Sequence, residues 1–85
     1  MNEITVNGRT FYVIHGRDLT ELYSKEGFDD GRFHSAFQHK GFSWNITPSR
    51  TSSVRSVPAS ASVHDVAKIL TEQDIANNLY QENKN

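Results

Sequence analysis

The 85-residue chain contains no cysteine. That excludes disulfides, thiolate metal sites and thiol nucleophiles, and it denies a small domain the staples that secreted ones commonly use. No apolar run approaches the ~20 residues that a membrane-spanning helix needs. No basic-then-apolar stretch of the signal-peptide kind opens the chain. The expected location is therefore the cytoplasm, with no membrane among the partners. Net charge is −1, so no global excess of cations announces a nucleic-acid partner. Neither a glycine-rich phosphate loop nor a Ser/His/acid set that spacing alone would bring together is present. A chain this short holds one thin core, with little room for a substrate pocket of roughly 300–1,000 Å3 besides. The expectation is a non-enzymatic protein without a cofactor.

What the chain does have is aromatic content. Five Phe, three Tyr and one Trp can each bury a large area and argue for a folded domain. That domain spans residues 1–80, with 81–85 as a frayed tail. Charge is also uneven. Residues 31–60 hold Arg32, Lys40, Arg50 and Arg55 and no carboxylate.

Residues 2–14, NEITVNGRTFYVI, read as a β-hairpin. Asn7-Gly8 suits a type I′ turn, which needs positive φ at both central positions. A two-residue loop pairs Val6 with Arg9, Ile4 with Phe11 and Asn2 with Val13, so that Ile4, Val6, Phe11 and Val13 share the core face. Asp18-Leu19-Thr20-Glu21 then has the form of a capping box. It predicts a helix to about Glu26, stopped by Gly27. Asp29 or Asp30 would cap a second helix running to Lys40, with Phe33, Ala36 and Phe37 as its apolar stripe and Gly41 as its stop. Residues 42–47, FSWNIT, alternate as a half-buried strand, with Phe42, Trp44 and Ile46 on one face. A turn at Pro48 and a return near 53–57 would make a second hairpin or wing, although the eight Ser or Thr among residues 47–62 also suit a loop. Ser62 with Asp65 opens a last helix. Its apolar residues change sides, so it either breaks near Thr71 or continues with two apolar faces. The expected fold is α+β, in the order ββααββα.

Two short helices joined at a glycine suggest a helix-turn-helix. The stretch GFDDGRFHSAFQHK, residues 27–40, resembles the recognition-helix region of TetR-type repressors through Gly27, Phe28, Gly31, Phe33, Phe37 and Lys40. The resemblance covers fourteen of the 85 residues and implies a helix-turn-helix shape. A hairpin stands where that family has a leading helix, and the chain has no length for its ligand domain.

On this reading the function is that of a small DNA-binding regulator. The unit 18–40 would present Arg32, Ser35, Gln38, His39 and Lys40 to double-stranded DNA, because Arg can fork onto guanine and Gln onto adenine. The wing at 42–57 would set Arg50 and Arg55 on phosphates. Ile75, Leu79 and Tyr80 would pair two copies into a homodimer through the last helix. The alternative is a protein-binding module or inhibitor of phage or mobile-element type, acting on a protein target through strand edges or the C-terminal helix. His34 and His39, five apart, are poorly spaced as metal ligands, and Asp29-Asp30 reads as helix capping.

Overall fold

The computed structural model describes residues 1–31, 35–47 and 55–81. Six strands form one antiparallel sheet in sequential order. They are β1 (Asn2–Val6), β2 (Arg9–His15), β3 (Leu19–Ser24), β4 (Ser35–His39), β5 (Trp44–Thr47) and β6 (Arg55–Val57). A five-residue helix, α1 (Lys25–Asp29), lies between β3 and β4, and a 14-residue helix, α2 (Val63–Ala76), follows β6.

The N-terminal hairpin has the expected register. Asn2 faces Val13, Ile4 faces Phe11 and Val6 faces Arg9. Asn7 and Gly8 take φ of 51° and 82°, as the tight turn requires.

The middle of the chain corrects the expected ββααββα order. Residues 19–24 form strand β3 rather than a helix, and 35–39 form β4 rather than a recognition helix. The Asp18-to-Glu21 spacing is no capping box: the Asp18 carbonyl instead accepts from Lys40 N at 2.9 Å, closing the β3–β4 pair. Gly27, expected as a helix stop, is buried inside α1, whose N-cap is Ser24. Leu22 settles the competition. Its side chain is fully buried in a row with Val13, Ala36 and Ile46, one residue from each of four strands. Leu and Glu favour helices in isolation, but burial against partners on both sides outweighs tenths of a kcal/mol of propensity.

Trp44 and Ile46 are buried as the alternation of β5 predicts, and β6 returns antiparallel beside β5. Phe42 departs from that alternation. It lies before the strand, 70% exposed, in a turn where Phe42 N donates to His39 O and Gly41 has a φ of 84°. The wing tip, residues 48–54, lies outside the described residues.

Helix α2 starts where expected: Ser62 Oγ accepts from Asp65 N at 3.1 Å. It continues unbroken past Thr71. Val66, Ala67, Leu70 and Asp74 are its buried residues, following the i, i+4 stripe that one helix presents to a sheet. Val66, Ala67 and Leu70, together with Val6, Phe11, Val13, Leu22, Ala36, Trp44, Ile46 and Val57, close a single core on one side of the sheet. Asn77 caps the helix and Asn78 adopts a left-handed conformation, φ 59°. This turns the chain back and brings Tyr80 over Arg9.

Candidate docking face

A strand points alternate side chains to opposite faces. Helix α2 covers the face that carries Phe11, Leu22, Ala36 and Ile46. The opposite, outer face carries Tyr12 and Ile14 from β2, Leu19, Glu21 and Tyr23 from β3, and Ser35, Phe37 and His39 from β4. Register sets their neighbours. Tyr12 lies beside Tyr23, and Glu21 has Ile14 on one side and Phe37 on the other. Along its own strand Glu21 is flanked by Leu19 and Tyr23. All of these except His39 are half-buried. Phe28 of α1 folds over one corner, meeting Tyr12 and Tyr23 edge-on with centroids 5.2 and 5.4 Å apart. Among the described residues no other element covers this face.

Its centre is a carboxylate set among hydrocarbon. The Tyr23 hydroxyl donates to Glu21 Oε2. That hydrogen bond, followed by burial and the charge of Glu21, pushes the Tyr23 phenol up to about 12 from its ordinary 10.0. Tyr12 is also raised, by burial and then by the charge of Asp29, to which its hydroxyl donates at 3.3 Å. Lys25 stands 3.9 Å from Glu3 at the rim. Among the described residues the carboxylates Glu3, Glu21 and Asp29 lie on or beside this side of the sheet, with the Lys25 ammonium at its rim.

A second polar constellation lies where β2, α1 and α2 meet. Arg9 is only 5% exposed. Its Nε donates to Glu26 Oε1 at 2.7 Å and its Nη1 to Thr71 Oγ1 at 3.0 Å. Nη2 lies 2.7 Å from Asp74 Oδ2, an ion pair rather than an aligned hydrogen bond. The guanidinium also lies 4.1 Å from the Tyr80 ring centroid and 5.2 Å from that of Phe11. An open recess of about 430 Å3 adjoins it, lined by Lys25, Glu26, Asp29 and Tyr80 among others. The Arg9 guanidinium is already committed to carboxylates of this chain. The cluster therefore ties three elements together, and its guanidinium is not free for a ligand.

The residues expected to read DNA are not gathered on one surface. Arg32 and Arg50 lie outside the described residues. Ser35 and His39 point to the outer face, where His39 meets Phe37 edge-on at 5.9 Å. Gln38 points to the helix side and donates to the Phe42 and Ala59 carbonyls at 2.9 and 3.3 Å, so its amide pins two loops. Lys40 sits in the β4–β5 turn. Arg55 on β6 is two strands across and four positions along, roughly 10 Å by 14 Å away. Of the residues expected to pair two copies, Ile75 is 39% exposed on α2, Leu79 is half-buried, and Tyr80 is engaged with Arg9. Among the described residues no group of three or more His, Cys, Asp or Glu is placed to hold a metal ion. None of their helices is long and apolar enough to cross a membrane.

Two features escaped the sequence reading. Arg9 shares the alternation of Phe11 and Val13, so its inward direction was available from the hairpin register. Glu21 and its neighbours were hidden, because only β-pairing brings residues 14, 21 and 37 together.

Compared with known protein families, curated proteins and solved structures, the chain matches none.

Proposed function

We propose that this chain is a non-enzymatic protein-binding module whose outer sheet face docks a partner. One observation carries the reading: β2 and β3 carry apolar or aromatic side chains on both faces, Phe11, Val13 and Leu22 towards α2 and Tyr12, Ile14, Leu19 and Tyr23 away from it, and the described part of the chain covers only one face. A half-solvated antiparallel sheet ordinarily alternates apolar-in with polar-out. Sheets that are apolar on both sides take a layer on each. Here α2 supplies one layer, while among the described residues only Phe28 of α1 lies over the other. A contiguous apolar patch rimmed by charges is the usual form of an interaction surface.

The DNA-binding regulator expected first from the sequence loses its helix-turn-helix. The helix pair it required is a strand pair, and the most aromatic surface carries acidic groups that repel phosphate. Affinity capture with the intact chain, read by quantitative mass spectrometry, tests the docking reading. Proteins retained by the wild type should be lost on an Ile14→Ser/Phe37→Ser variant that keeps its far-ultraviolet circular dichroism. They should be kept by Ile75→Ser, on the helix side. Retention that ignores the face substitutions would rule the reading out.

A further inference from the structure

Resting on that reading, we infer that the occupant of the outer face is a single amphipathic helix carrying a lysine or arginine within its apolar stripe, with that cation seated on Glu21. Three features of the face point to it. The first is width. The apolar residues come from three adjacent strands, β2, β3 and β4, spaced at about 4.8 Å, giving a strip roughly 10–14 Å across. That is the diameter of one α-helix with its side chains, about 10–12 Å.

The second is charge. Glu21 lies at the middle of the strip, between Ile14 and Phe37. Its Oε2 accepts from Tyr23, and among the described residues no cation of this chain is paired with it. Covering that carboxylate with a purely apolar layer would remove its water and leave it the Tyr23 hydroxyl but no counter-charge, a cost of several kcal/mol. A partner's ammonium or guanidinium would offset that loss. The rings of Tyr23 and Phe37 stand ready to flank the cation, an arrangement that adds cation–π attraction.

The third is what the charge disfavours. A second copy packed face to face would bring two Glu21 carboxylates into one apolar interface about 10 Å deep, each without a counter-charge. A nucleic-acid strand could stack on the aromatics, but its phosphates would meet Glu3, Glu21 and Asp29.

Two synthetic helical peptides of leucine, alanine and glutamine test the inference. They differ at one position, lysine or glutamate, at the centre of the apolar stripe. Each is titrated into the intact chain and followed by calorimetry and amide chemical shifts, with a single-stranded oligonucleotide as a third probe. The lysine peptide should bind the wild type at least about tenfold tighter than the glutamate peptide, in keeping with a close charge pair. Glu21→Gln should erase that preference, and Phe37→Ser should weaken both peptides. Ile14→Thr replaces Phe37→Ser if the latter loses its fold.

Equal binding of both peptides, or a lysine preference that survives Glu21→Gln, would refute the cation seat while leaving the docking face standing. Binding of neither peptide, or shifts confined to the helix side, would refute face and occupant together. A stronger response of the face to the oligonucleotide than to the lysine peptide would do the same in favour of a nucleic acid.

Discussion

A single guanidinium, that of Arg9, joins β2 to both helices. It is buried, and so is Asp74, at 1% exposure, whereas the Glu26 side chain is 41% exposed. The three residues are therefore unequal. Replacing Arg9 by Ala leaves the Asp74 carboxylate in the core without the cation beside it, which should cost about 3–5 kcal/mol in urea unfolding. Against the ~5–15 kcal/mol total stability usual for a domain, that is a large share. Replacing the pair together, Arg9→Met with Asp74→Leu, should recover most of the loss, because Glu26 can rehydrate where it stands. A double variant as unstable as the single one would mean that the guanidinium acts through packing instead. Tyr23 offers a pH readout on the other side of the sheet. Its phenol is raised from 10.0 to about 12, so the folded state holds this proton more tightly than the unfolded chain does. The contribution is complete below pH 10.0 and fades as pH climbs through about 12. Phenolate ultraviolet absorbance should show Tyr23 titrating last of the tyrosines, and Glu21→Ala should return it towards 10.0 by removing the hydrogen-bond acceptor and its charge. An unchanged titration would place the late phenol elsewhere.

At the scale of elements, local signals survived and distant ones did not. The β1–β2 hairpin was legible because its instruction, Asn7-Gly8, lies within the turn it makes. The start of α2 was legible for the same reason: Ser62 reaches only as far as Asp65. Ser62→Ala should therefore lower stability by about 0.5–2 kcal/mol in thermal or denaturant unfolding. A change near zero would show that the first turn is held by Val66 and Ala67 packing alone. The segment 18–40 misled because β3 and β4 mix polar and apolar side chains on both faces. Its period of two never appears as polar alternation, and Leu19, Leu22 and Tyr23 imitate a helical stripe. What makes Leu22 a strand residue is Val13 on one side and Ala36 on the other, partners that no window along the chain contains. The candidate site shares that blindness. Glu21, Ile14 and Phe37 become one surface only once three strands are in register. A DNA-reading face assembled from Ser35, Gln38 and His39 as helix neighbours divides, as strand neighbours, between the two sides of the sheet.

For the molecule as a whole, the asymmetry between the two faces is the principal fact. One face is sealed by α2 over Phe11, Leu22, Trp44 and Ile46. The other gathers tyrosines, a phenylalanine and aliphatics around a carboxylate. The aromatic content thus divides between holding the fold and furnishing a surface, which composition alone could not apportion. Sequential strand order has a further consequence during synthesis. Each strand leaving a ribosome finds its neighbour already made, so the sheet can grow by accretion in the direction of translation. The cover comes last: until residues 63–76 emerge, the nascent sheet shows hydrocarbon on both sides, and of the two anions that hold Arg9 only Glu26 has been polymerised.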